Sequence, residues 1–429
     1  MSPVLRVITG GLVFFYPAAA FAQTAELNTG DIAWVATAAV LVMIMTPALG
    51  FFYAGLVRAK NIISTLTQCV GIFAVVSLVW TLWGYSIAFG PSVNGLFGDL
   101  SWFGLSGVGA APNAAYAATI PALLFYFFQL KFAAITPALI IGAFAERVRF
   151  MSLLIFVILW TTFVYSPIAH WVWNPDGWLR KLGALDFAGG TVVHIAAGFS
   201  ALACAWLIGR RKDASNGAEL KPSNIPFVIL GAALLWFGWF GFNAGSALAA
   251  GELAVSALVV TNVAAAAGAV SWMLMDWSRK RKASAVGIAI GAVCGLVAIT
   301  PASGFVNVSS SLLIGFVAGI VSNIAANWRV RTRLDDSLDV FACHGVSGIW
   351  GSLATGLFAT LTVNAAGANG FFYGNPSLLW NQVLAVAAVA AFSFFGSALI
   401  WKITNSVFPL RVQESEEEEG LDATQHGET

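Results

Sequence analysis

Two histidines in apolar stretches are each preceded by a carboxylate. Asp186 is followed eight residues later by His194, in Asp-Phe-Ala-Gly-Gly-Thr-Val-Val-His. Asp339 is followed five residues later by His344, in Asp-Val-Phe-Ala-Cys-His-Gly. Ionisable groups in such surroundings are rare and costly, which makes each a functional candidate. One histidine of this kind is readily a satisfied core residue; two in matching settings argue for a shared task. A neutral imidazole has one donor and one acceptor and can relay a proton, which suits a narrow pore. Histidine is also the commonest metal ligand, but a zinc site usually takes three protein ligands. Only two histidines stand in these stretches. The pattern points away from an enzyme, a metal centre or a cofactor.

Aromatic residues supply a second kind of chemistry. Phe128 and Phe132 are four apart and share one helix face. Trp236, Trp239, Phe240, Phe242, Asn243 and Ser246 crowd one end of a later apolar stretch, and Trp173 falls in an expected connection. Aromatic faces attract desolvated cations, and a hydroxyl such as that of Ser246 can accept from an ammonium. The same residues also suit an interfacial aromatic belt, so this pattern alone leaves both readings open.

The elements that hold these groups are membrane helices. Charged residues make up 10% of the chain and hydrophobic ones 59%, against about 25% and 45–50% in soluble domains. Apolar windows of the length needed to cross a bilayer fall near 32–56, 62–89, 119–144, 150–169, 187–209, 224–246, 252–276, 284–300, 305–327, 341–363 and 380–406, predicting eleven transmembrane helices. Lys and Arg cluster in alternate connections, at Arg58/Lys60, Arg147/Arg149, Arg210 to Lys221, Arg279 to Lys282 and Arg329 to Arg333. With Lys402 and Arg411, these place 17 of 21 basic residues on one side and only Arg180 and Lys181 on the other. Basic loops stay in the cytoplasm, so the tail is expected inside.

The N-terminus carries Arg6, an apolar run over 7–20, and Ala20-Phe21-Ala22. It is expected to be a cleaved signal peptide, residues 1–22, rather than an uncleaved first helix. A membrane domain at 23–407 and a cytoplasmic tail at 408–429 follow, with the mature N-terminus periplasmic. Span five closes the first set of five and span ten the second. With an odd number per half, the second half is inverted, as in transporters whose sites form where the halves meet. The two histidines then face one another. Gly345, Gly348 and Gly351 let helices approach closely there. Cys69, Cys204, Cys294 and Cys343 lie in spans without metal-ligand spacing and read as packing residues.

Together these blocks resemble the ammonium transporter (Amt/Mep/Rh) family, in its bacterial Amt branch. The matching segments are Phe-Tyr-Ala-Gly-Leu-Val-Arg-Ala-Lys-Asn at 52–61, Ala-Phe-Ala-Glu-Arg at 143–147, Ala-His-Trp-Val-Trp at 169–173, Leu-Asp-Phe-Ala-Gly-Gly-Thr-Val-Val-His at 185–194, Gly-Trp-Phe-Gly-Phe-Asn-Ala-Gly-Ser at 238–246 and Asp-Val-Phe-Ala-Cys-His-Gly at 339–345, with further matches in the tail. The resemblance runs from about residue 30 to the end. It implies two inverted five-helix repeats plus a final helix, assembled as a homotrimer with one pore per subunit in the bacterial inner membrane.

The resemblance also assigns roles. Phe128, Trp173 and Ser246 match a vestibule that recruits ammonium, beside Asp186, a mainly structural acid. Phe132 and Phe242 match a stacked phenyl gate, Trp239 the pore wall, and His194 and His344 the twin histidines of the conduit. The implied activity is uptake of ammonium, and of methylammonium as a candidate second substrate. Ammonium is deprotonated, ammonia crosses the pore, and the proton follows a histidine relay. A cytoplasmic PII-type signalling protein is the implied partner at the basic loops and acidic tail. The alternatives are an ammonium sensor that binds without turnover and a Rh-like gas channel. One residue departs from the family: Lys131 stands between Phe128 and Phe132, where an uncharged residue is usual. It is expected to face a subunit or helix interface rather than the vestibule.

Overall fold

The computed structural model describes residues 26–212 and 221–428; the expected signal peptide lies outside them. Its helices, numbered along the chain, are α1 (Thr29–Leu56), α2 (Ala59–Phe89), α3 (Ala122–Phe144), α4 (Phe150–Leu182), α5 (Gly190–Ile208), α6 (Ile225–Gly245), α7 (Glu252–Lys280), α8 (Ala285–Ile299), α9 (Val308–Arg329), α10 (Phe341–Val346 continuing into Ser347–Phe358) and α11 (Pro376–Val407). Nine of these are long and apolar enough to cross a membrane among the described residues. The shorter α8 and α10 fall in the windows expected at 284–300 and 341–363. Side-chain caps start several helices: Asn28 accepts from the Asp31 amide, Asn224 from Phe227, Ser284 from Gly287 and Asn307 from Ser310.

The first helices of the two halves pack along each other. Small residues on α6 let it lie against the α1 backbone. A Cβ on Gly231 would stand 2.3 Å from the Phe52 nitrogen, one on Gly238 2.3 Å from Met45 Cγ, and one on Gly245 2.5 Å from Ala38 Cβ. The α1 numbers fall as the α6 numbers rise, so the pair is antiparallel. The fifth helices repeat the arrangement. A Cβ on Gly198 of α5 would stand 2.4 Å from the Gly345 nitrogen of α10, and one on Gly348 3.3 Å from His194 Cβ. Equivalent helices that cross antiparallel are the geometry of an inverted repeat.

The basic loops gather at one end of the bundle around a buried acid. Glu146, 2% exposed, accepts from Arg58 Nε at 2.8 Å, Asn61 Nδ2 at 3.0 Å and Arg211 Nη1 at 2.8 Å. Arg211 also grips Asp335, whose backbone oxygen accepts from Arg147. Burial works against ionisation of Glu146, but Arg211 and Arg58 outweigh it and hold the carboxyl below its usual range. The tail closes over this network. Val412 donates to the Arg147 carbonyl and Arg149 to that of Leu410. Beyond the short helix α12 (Glu414–Glu419), Asp422 accepts from the Ile63 and Ser64 amides at 3.1 and 2.7 Å. Its charge thus meets the positive end of α2.

Removing one member of a buried ion network leaves the others uncompensated, at about 3–5 kcal/mol. Glu146→Ala should therefore lower the melting temperature of the purified protein sharply, read by tryptophan fluorescence in detergent. A melting curve superimposable on wild type would show that the network does not hold the basic end together.

Candidate functional site

Both histidines sit on π-helical turns, His194 on Gly190–Ile195 and His344 on Phe341–Val346. Such turns are rare and recur at functional sites. The two Nδ1 atoms are 3.2 Å apart, with the rings nearly parallel at 19° and their centroids 5.3 Å apart. At that distance one Nδ1 carries the shared proton and the other accepts it, so the neutral pair holds opposite tautomers. Nε2 of His194 has no hydrogen-bond partner among the described groups. Trp239 stacks on His194 at 5.4 Å and ties its indole N–H to Thr300 Oγ1 at 2.9 Å. A cavity beside the pair, about 10 Å³ for the centre of a water-sized sphere, is lined otherwise by apolar side chains such as Leu49, Ile135 and Val293. That is room for about one small molecule.

Phe132 and Phe242 lie across one end of this space, their centroids 4.3 Å apart. Trp173 meets Phe132 edge-on at 5.9 Å. Beyond them opens a cavity of about 530 Å³ whose lining includes Gln129, Phe132, Trp173, Asp186 and Ser246. Phe128 does not line it; fully buried, it backs Phe132 at 4.9 Å. Trp173, expected in a connection, is instead the last residue of the helical segment Ser166–Trp173. Asn174 stops the chain there, its amide bound to the Gly90 carbonyl. The Trp173 indole donates to the Asp186 carbonyl at 3.0 Å.

Asp186 is saturated by its own chain. Its carboxylate accepts from the amides of Gly189, Gly190 and Thr191, each at 2.7 Å, from Val192 at 3.3 Å and from the Thr191 hydroxyl. Gly189 bends the backbone with φ 118°, a conformation that excludes a side chain at little cost only for glycine. The carboxylate thus caps the turn bearing His194.

The counterpart in the second half is not Asp339, as the sequence suggested. It is Asp336, eight residues before His344 as Asp186 is eight before His194. Asp336 accepts from the Val340 and Phe341 amides at 3.1 and 2.8 Å, whereas Asp339 turns away to pair with Arg329. The equal spacing was the signal available in the sequence. Burial, reinforced by the Asp339 charge, pushes the Asp336 carboxyl up to about 6. Gln129 also lines the outer cavity, a position its apolar neighbours in the sequence give no sign of.

Lys131 faces away from both cavities. Its ammonium lies 3.6 Å from the Phe127 ring centroid and 5.3 Å from that of Phe73, between α3 and α2. Aromatic faces hold a cation without a counter-charge, and Phe127 lies on the next turn back along the helix.

The chain is similar to known proteins over most of its length. The model of the Ammonium Transporter Family matches residues 33–429. An ammonium transporter of Bacillus subtilis is 48% identical over 94% of this chain and 98% of its own length. The crystal structure of Saccharomyces cerevisiae Mep2 is 37% identical, covers 91% of each chain and superposes with a TM-score of 0.85. A structure described as a sensor Amt protein is 31% identical, covers 92% of this chain and 98% of its own, and also gives a TM-score of 0.85.

A carboxyl that keeps its proton to about pH 6 folded, against an ordinary 3.8, favours the folded state fully only below about pH 4. That contribution fades as pH rises to 6. Because Asn stays neutral, the melting temperature of Asp336→Asn minus that of wild type should rise between pH 4 and 6 and level off above. Parallel pH profiles would refute the assignment.

Proposed function

The chain belongs to the ammonium transporter family, and from that premise we propose that it carries ammonium through the bundle past the paired histidines. The observation that carries the reading is the contact of two imidazoles in an apolar cavity closed at one end by Phe132 and Phe242. Trp173, Ser246 and the Asp186 turn recruit the cation in the outer cavity, with Phe128 supporting Phe132. A bare ammonium in a dry conduit carries a large desolvation cost. Losing its proton at the vestibule removes that cost, whereas potassium, of similar size, has no proton to lose. Neutral ammonia then passes the phenyl pair, and the proton moves through His194 and His344 by exchange of their tautomers. The net movement is electrogenic although the cation never crosses whole.

In the same reading α8 and α10 also span the bilayer, giving eleven crossings. The basic end and the tail face the cytoplasm and the vestibule faces outward, as the bias of Lys and Arg supports. Three such protomers assemble in the bacterial inner membrane, and the basic loops and ordered tail offer a docking face to a PII-type protein. A second reading is favoured by the likeness to the sensor Amt protein: binding of ammonium without turnover.

Transient currents evoked by an ammonium pulse in proteoliposomes test both. Under the transport reading, their decay depends on the lipid-to-protein ratio; a decay independent of it indicates binding alone. Replacing His194 and His344 together by Ala should abolish the ammonium-evoked charge movement in a protein that still folds. An unchanged current in the double variant would defeat the histidine relay.

A further inference from the structure

The side chains read as recruiting the cation, Asp186, Trp173 and Ser246, offer it few free acceptors. Ammonium carries four N–H donors. The Asp186 carboxylate already receives five hydrogen bonds from residues 189–192. The Trp173 indole is a donor only and is committed to the Asp186 carbonyl. Ser246 gives its proton to the Phe242 carbonyl at 2.8 Å, which leaves its own lone pairs to accept. The aromatic rings attract positive charge but offer no lone pair.

Gln129 lines the same cavity from α3. It is 8% exposed, and its Oε1 is buried without a hydrogen-bond donor among the described residues. Buried acceptors are rarely left so, and one that remains in a native site calls for a partner. The last torsion of an amide is broad and two-fold, so the oxygen can swing toward the cavity with no change of backbone. Its neighbours hold the stem in place: Phe128 and Phe132 on the same helix are buried and in ring contact.

We propose that Gln129 is a direct ligand of the substrate cation, its amide oxygen accepting one ammonium N–H opposite Ser246. The inference rests on the reading of this cavity as the recruitment site. Gln129 binds the cation before deprotonation and takes no part in proton transfer, so it acts on affinity and not on the maximal rate.

Gln129→Leu keeps the size and removes the acceptor; Gln129→Glu keeps an oxygen acceptor. In proteoliposomes pulsed with ammonium chloride, Gln129→Leu should raise the half-saturating concentration about tenfold, the effect of losing a hydrogen bond to a charged group. The maximal current should stay within about twofold. Gln129→Glu should saturate at or below the wild-type concentration. An unchanged half-saturation in Gln129→Leu, or an equal loss of maximal current in both variants, would overturn the assignment. A transport-independent measurement separates its failure from that of the transport reading. Ammonium chloride should raise the melting temperature of wild type and Gln129→Glu above a potassium chloride control, and should need about tenfold more salt to give the same rise in Gln129→Leu. Absence of current in wild type with this pattern intact would refute turnover and leave the ligand standing. An equal ammonium-dependent rise in all three proteins would refute the ligand.

Discussion

Two imidazole nitrogens 3.2 Å apart hold one proton between them, and the surrounding bundle is built to keep them at that distance. A backbone must come close enough on each side for short side chains to meet, which is why Gly198 and Gly345 lie almost in contact across α5 and α10. The π-helical turns add one residue per turn at these places, rotating each histidine toward the other helix rather than along its own. Trp239 then fixes one ring by stacking, and its tether to Thr300 fixes the tryptophan. With one proton shared between two neutral rings, the apolar walls need not solvate an ion at rest.

The ends of the two histidine-bearing helices show how a membrane protein can use carboxylates without exposing them. Asp186 and Asp336 occupy the same place in the two halves, and each satisfies the first amides of its turn. Their surroundings differ. Asp186 takes up five donors beside a cavity of about 530 Å³, whereas Asp336 takes two and is pressed by Asp339. The pseudosymmetry therefore preserves the scaffold while the chemistry at the two ends diverges. At the basic end, Glu146 and Asp335 gather arginines from three connections, and the tail is laid over them through Asp422 and the strand-like pairing at Val148 and Arg411. Helix ends and tail thus share one polar network outside the apolar layer.

Lys131 illustrates how direction matters more than position. In the sequence it stands between two aromatic residues assigned to the cation path, and a charge there would oppose a cation. In the fold Phe132 points at Phe242 while Lys131, one residue earlier and so about 100° around the helix, lies under Phe127 and Phe73. Gln129 points the other way, into the cavity. Neighbouring residues on one helix therefore serve a cage between α2 and α3, the ring contact with Phe242 and the lining of the outer cavity.

Much of this was legible in the residue order. The apolar windows and alternating basic loops determined a polytopic membrane protein, because hydrocarbon tolerates only helices whose backbone groups are satisfied within themselves. The repeated appearance of an acid before a histidine, together with the motif blocks, placed the protein in its family and singled out His194, His344, Phe132, Phe242, Trp173, Ser246 and Asp186. Periodicity alone carries no information on which helix faces another. The tertiary structure decided that Asp336 and not Asp339 caps the second turn, that Phe128 backs Phe132 instead of lining the cavity, that Trp173 ends a helical segment within α4, and that Gln129 lines the cavity with an oxygen no described residue pairs. Each of these depends on the rotation of one helix against another, which backbone contacts at glycines, π-helical turns and buried hydrogen bonds determine between residues far apart in the sequence, 150 positions in the case of the two histidines.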